Sequence, residues 1–194
     1  MIEYYLGNLG LSESSEQAKF LRKIVLANRT DTDIIDEFTK FILSQVELYS
    51  DTVKIINKSL MAGYGSEYYG LGKDNFGLKA SIYKKFMEKF PNEFSFNFQY
   101  ADCCLINNGS VGEIYPILKD GMLADKENIY YPTADLFYLI HESPFSFEFD
   151  MLLLDKYYQP CDKESFDEYV NEFKEKYNGE MEQDCLKKLK WKGE

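Results

Sequence analysis

The chain has 194 residues, 45% of them hydrophobic, and 33 acids against 22 bases give it a net charge of −11. That length suffices for a domain with a full-sized core and no metal or disulfide staples, and 16 tyrosines with 15 phenylalanines exclude a wholly disordered chain. No stretch reaches the roughly 18 uncharged apolar residues of a membrane span, Met1-Ile2-Glu3-Tyr4 does not open a signal peptide, and a single histidine excludes most His-rich metal and relay chemistry.

Ser14 or Ser15 caps a first predicted helix running to about Asn28, with Ala18, Leu21, Ile24 or Val25, and Ala27 as its apolar stripe. Thr30 and Asp33 have the capping-box spacing, with Asp in place of the usual Glu. The next helix carries Ile34, Phe38, Phe41, Ile42 and Val46 at a period near 3.6. Val53, Ile56 and Leu60 extend an apolar face to Gly63, a residue suited to follow a helix end. Residues 62–73 are glycine-rich and are the candidate internal boundary or ligand-contacting loop. They lack G-x-x-x-x-G-K-[ST] and follow no predicted strand, so a phosphate cradle is not expected there.

Asp74 or Asn75 caps a helix with Phe76, Tyr83, Phe86, Met87 and Phe90, stopped at Pro91. The following segment is ambiguous. Phe94, Phe96, Phe98 and Tyr100 alternate as in a strand, yet Phe94, Phe98, Ala101 and Leu105 fit a helical face, and the distance between turn signals favours a helix. A further helix carries Val111, Ile114, Leu118 and Met122, with Pro116 implying a kink or restart. Phe94-Ser-Phe-Asn-Phe-Gln returns as Phe145-Ser-Phe-Glu-Phe-Asp, and 145–150 shares the strand-or-helix ambiguity. Leu136, Phe137, Leu139 and Ile140 mark a helix between Thr133 and Glu142, and an apolar run from Met151 to Tyr158 ends at Pro160. Phe166, Tyr169, Val170, Phe173 and Tyr177 mark a helix from Ser165, and Glu182 to Trp191 forms a last short one. The expected fold is all-α: about eight or nine helices in antiparallel hairpins, repeat-like or an irregular bundle, in a single domain over 1–194.

Within this pattern Ala101 to Asn128 resembles a tetratricopeptide helical hairpin. Gly109 falls at the inter-helix turn, Glu113-Ile114-Tyr115 opens the second helix, and Gly121 takes a close-packing position. The stretch departs from that family at Asp102, where a small glycine is expected, at Ile114, where alanine is usual, and at Pro116. The repeated phenylalanine motif also recurs after 51 residues rather than the family's 34. The resemblance implies a binding scaffold rather than a catalyst.

Any Ser-His-Asp or Cys-His arrangement must use His141. Its place near a helix end, just before Ser143-Pro144, reads as a capping or core histidine. Carboxylate pairs such as Asp135 with Glu142 are too easily found among 33 acids to signal a glycosidase. Cys103, Cys104, Cys161 and Cys185 lack the paired spacing of zinc ligands and read as free, mostly buried thiols. The basic run Lys187 to Lys192 reads as a last helical turn favoured by the macrodipole, with a phosphate contact through Trp191 as the alternative.

Residues 130–160 remain. They hold Tyr130, Tyr131, Phe137, Tyr138 and further aromatics, and their acids are opposed only by Lys156. Most of the phenylalanines are assigned to the core, and the surplus tyrosines and acids to a face for a basic partner. The candidate binding residues are Asp135, Tyr138, Glu142, Glu148, Asp150, Asp155, Tyr157 and Tyr158. The expected function is a non-catalytic, cytoplasmic protein-interaction module, with an inhibitor or immunity-type protein as one form by analogy. The alternative is a small-molecule-binding protein or hydrolase built on the 62–73 loop and clustered carboxylates. Neither cofactor nor metal is expected, and neither nucleic acid nor membrane as partner.

Overall fold

A computed structural model describes residues 19, 31–47, 53, 56–57, 76–158 and 162–192; the predicted first helix, Leu60 and the glycine-rich stretch 62–73 lie outside the described residues. Among the described residues there are eight α-helices and no strand, so the fold class is all-α. The chain divides into two compact units, Met1–Asn108 and Gly109–Glu194.

The first unit contains α1 (Asp31–Ser44), α2 (Phe76–Lys89) and α3 (Ser95–Ile106). α1 stops two residues before Val46, which the periodicity had placed on the apolar face but which is 91% exposed. The Ser44 hydroxyl and the Gln45 amide both donate to the Phe41 carbonyl, at 2.7 and 3.1 Å, and so occupy an acceptor that helix continuation would use. α2 ends at Lys89, ahead of Pro91, as a helix must when the next residues lead into a proline. α2 and α3 form the most extensive helix pair, and their core joins Tyr83, Phe86 and Phe96 to Ile42, Val53 and Ile56. The Phe86 and Phe96 rings lie 5.4 Å apart and Tyr83 meets Phe86 edge-on at 6.1 Å. Burying one such ring is worth about 1.5–3 kcal/mol. The buried Tyr83 hydroxyl donates to Asn57 Oδ1 at 3.2 Å, and Asn57 Nδ2 reaches Ser95 Oγ at 3.4 Å. Residues 95–106 are helix, not strand. The chain leaves α3 through Asn108, whose φ of 59° is left-handed, a conformation asparagine tolerates.

The second unit contains α4 (Val111–Ala124), α5 (Ala134–His141), α6 (Ser146–Leu153), α7 (Lys163–Lys176) and α8 (Glu180–Lys188). α4 runs through Pro116. The missing N–H would have bonded the carbonyl of Gly112 in the first turn, where both residues are exposed, so a restart is unnecessary. α4 buries Ile114, Tyr115, Leu118 and Met122, and Tyr115 stacks on Phe145 at 4.8 Å and meets Phe149 edge-on at 6.2 Å. Residues 146–153 are helical, and the chain continues as a π-helical turn over Leu154–Tyr158. Asp162 caps α7, its carboxylate accepting the Ser165 N–H at 3.0 Å. Leu154, Phe166, Val170 and Leu186 form a cluster beneath α7 and α8, with Trp191 packed against it. α8 ends at Lys188, short of the predicted Trp191, because Leu189 is already extended at ψ 135°.

Of the cysteines, Cys103 is buried, Cys104 half-buried and Cys185 exposed, so the expectation of mostly buried thiols holds for Cys103 but not for Cys185. Burial pushes the Cys103 thiol up to about 12. Cys161 lies outside the described residues.

Candidate functional site

The second unit carries two neighbouring features between residues 125 and 177. The first is a turn pinned to the π-helical segment. Asp125 is fully buried at the end of α4, and its Oδ2 accepts the Tyr130 N–H at 2.8 Å. Lys156 donates to the Asp125 carbonyl, Asn128 Nδ2 donates to the Lys156 carbonyl at 2.8 Å, and the Tyr157 hydroxyl donates to the Tyr130 carbonyl. The wider π turn lets Lys156 and Tyr157 both bond to this one loop, while Asp155 points to solvent and pairs with Lys192 at 2.8 Å. Burial, and then the nearby Asp125 charge, push the Tyr157 hydroxyl up to about 12, so it stays a donor at neutral pH.

The pinned loop delivers Tyr131. Its ring lies 4.9 Å from Tyr157 and 6.5 Å from Phe137, which in turn meets Tyr138 at 6.5 Å and stacks on His141 at 4.2 Å. These rings form a continuous row across the loop and α5. Tyr131 is 50% exposed and Tyr138 71% exposed.

The second feature is centred on Asp150, whose side chain is almost wholly buried. Lys176 Nζ lies 2.9 Å and the Tyr177 hydroxyl 2.5 Å from its Oδ2. The Tyr177 hydroxyl also lies 2.7 Å from Ser146 Oγ. His141 Nε2 is 3.0 Å from Asp150 Oδ1, close enough for electrostatic attraction but too poorly aligned for a hydrogen bond. Lys176 Nζ is also 2.7 Å from His141 Nδ1. An ammonium can only donate, so Nδ1 accepts and the imidazole proton sits on Nε2, facing the carboxylate. Burial, together with the Lys176 charge, holds the His141 pKa below its ordinary value against the opposing pull of Asp150 and Glu142. For Lys176 burial opposes the charge, but its bonds to Asp150 and Tyr177 outweigh that and raise its pKa.

This arrangement ties α5, α6 and α7 together. Its chemistry is conservative: both imidazole nitrogens face partners inside the cluster, and Ser146 is bonded to Tyr177 rather than to His141. A Ser-His relay is therefore not assembled here. Among the described residues no group of three His, Cys, Asp or Glu side chains is placed to hold a metal ion.

The predicted site residues are sorted by this geometry. Asp135 and Tyr138 are exposed on α5, and Glu142 is exposed just past its end. Glu148 is exposed and ion-paired with Lys119, and Asp155 is exposed and paired with Lys192. Tyr157 is half-buried beneath Tyr131, and the side chain of Tyr158 lies outside the described residues. Asp150 is a correction: it cannot belong to an exposed face, because it is the buried anchor of three helices. Its register showed this, since Ser146, Phe149, Asp150 and Leu153 fall on one helical stripe that includes two core residues. Tyr131 and Phe137, which complete the row, and Lys176 and Tyr177, which hold Asp150, were not among the predicted site residues. No family model, curated protein or solved structure matches this chain.

Proposed function

We propose that this chain is a non-catalytic protein-interaction module whose second unit presents an acid-flanked aromatic face to a partner with a basic surface. The observation that supports this reading is the row Tyr157–Tyr131–Phe137–Tyr138, in which Tyr131 and Tyr138 keep 50% and 71% of their surface in water. Pre-packed tyrosines lose little entropy on binding and are enriched where interfaces concentrate their energy. Exposed Asp135 and Glu142 lie one helical turn before and after Tyr138, and the net charge of −11 would attract a basic partner. A neutralising inhibitor of a basic protein is one form such a module takes.

The test is affinity capture from the source cells, followed by binding measurements between the purified partner and variants. Tyr131→Ala with Tyr138→Ala should speed dissociation by at least about tenfold, roughly 1.4 kcal/mol. Asp135→Lys with Glu142→Lys should slow association and flatten its salt dependence. A partner whose binding ignores both pairs of substitutions would place the interface elsewhere and overturn this reading.

A further inference from the structure

A second surface, independent of the aromatic row, lies where α7 faces α8 and the residues that follow it. On α7, Lys163, Phe166, Val170 and Lys174 recur at helical spacing, giving one stripe with apolar residues in the middle and an ammonium at each end. α8 and its continuation add Leu186, Lys187, Lys190 and Trp191. Together they line a cleft of about 360 Å³, within the size range of small-ligand sites.

Its chemistry is unlike that of the rest of the chain. Four lysines line it against one carboxylate, Asp167, in a protein of net charge −11. Lys163 pairs with Asp167 at 3.5 Å, Lys187 pairs with Asp184 at 3.3 Å, and Lys174 Nζ donates to the neutral amide oxygen of Asn171 at 3.5 Å. The floor is apolar, because Phe166, Val170 and Leu186 belong to the core cluster and Trp191 packs against it. Lysine stems commonly lie flat over apolar surface and fill it. Here they leave an open volume bordered by charge.

We propose that this cleft binds a small organic anion, with its apolar or aromatic body on the partly exposed Leu189 and Trp191, above the buried Phe166 and Leu186, and its charge held by the surrounding lysines. The size of the cleft suits such a molecule rather than a nucleic-acid strand, and the lysines fix the sign of the ligand.

Trp191 is the sole tryptophan, so the floor reports on itself. The probe is anilinonaphthalene sulfonate, an aromatic anion, titrated into the full chain with uncharged phenylnaphthylamine as its control. We expect one saturable site, with energy transfer from Trp191 to the sulfonate and weaker binding of the uncharged analogue. Lys174→Glu with Lys190→Glu should weaken the sulfonate by about tenfold or more, on the scale of one charge-assisted hydrogen bond, with unchanged circular dichroism. Lys174→Gln with Lys190→Gln should weaken it less, in proportion to the charge removed. Equal binding of the uncharged analogue, sulfonate binding that ignores the lysine variants, or binding without Trp191 transfer would each overturn the proposal.

Discussion

Replacing Asp150 with alanine removes the carboxylate that accepts from Lys176 and Tyr177 and attracts His141. Breaking a fully buried ion pair costs about 3–5 kcal/mol, because the remaining partner is left charged and dry. Here the cost is lower, since the Lys176 side chain is 40% exposed and can turn its ammonium to water. Tyr177 retains Ser146 as a partner, so its hydroxyl is not orphaned. What is lost is one strong bond from Tyr177, part of an ion pair, and the attraction that orients His141. These together suggest about 2–3 kcal/mol. For a chain of this length that corresponds to a melting temperature lower by roughly 5–10 °C. The control is Glu148→Ala, which breaks an exposed pair with Lys119 and should cost under about 0.5 kcal/mol. Urea midpoints of the two variants, measured at equal slope, decide the matter. If Asp150→Ala costs no more than Glu148→Ala, Asp150 is not a buried anchor and belongs with the surface acids after all.

Two further outcomes follow from the same geometry. The folded His141 imidazole holds its proton less readily than the unfolded one, whose pKa is about 6.5. Its contribution to stability should be complete above that value and disappear as the pH falls through the lower folded pKa, because the unfolded chain takes up the proton first. Thermal melts across that window should show the slope, His141→Gln should flatten it, and nitrogen shifts of the single imidazole should report the Nε2–H form; a flat profile in the parent protein would refute the assignment. Cys185 should react at once with a thiol reagent in the native protein, while Cys103 should react only on unfolding, and peptide mapping after a short pulse distinguishes them.

The helices that the sequence made plain are those with one buried face. In α7, Phe166, Val170 and Phe173 are buried while Glu164, Asp167 and Glu168 are exposed, so the 3.6 period stands out. α3 was ambiguous for a physical reason. Phe96 and Phe98 lie on nearly opposite sides of a helix, yet both are buried, so the helix is covered on more than one side and its pattern loses contrast. The same holds for 145–150, where Phe145 stacks on Tyr115, Phe147 meets Tyr177 at 5.0 Å and Phe149 is in the core. Alternating phenylalanines mimic a strand whenever a helix is enclosed. The π turn left no local signature, because it is fixed by bonds from Lys156 and Tyr157 to a loop some thirty residues earlier. For Asp150 the register was readable, but its partners Lys176 and Tyr177, at the end of α7, were not.

The acids of 130–160 show how far a local excess of charge can mislead. In the sequence they form one block opposed by a single lysine, which suggests one concerted surface. In the fold Asp150 goes inward, Glu148 and Asp155 acquire lysines from α4 and from beyond α8, and Asp135 and Glu142 lie one helical turn before and after the exposed Tyr138. Two exposed carboxylates act mainly within a screening length of about 8 Å and speed encounter more than they hold a complex. The lasting contact must then come from desolvating Tyr131 and Tyr138, whose rings are already set against Phe137. The same packing that removes Asp150 from the surface holds His141 in place, and His141 in turn stacks on Phe137. The buried polar cluster and the exposed aromatic row thus share one structural support, which is why the loss of Asp150 bears on the shape of the face without touching it.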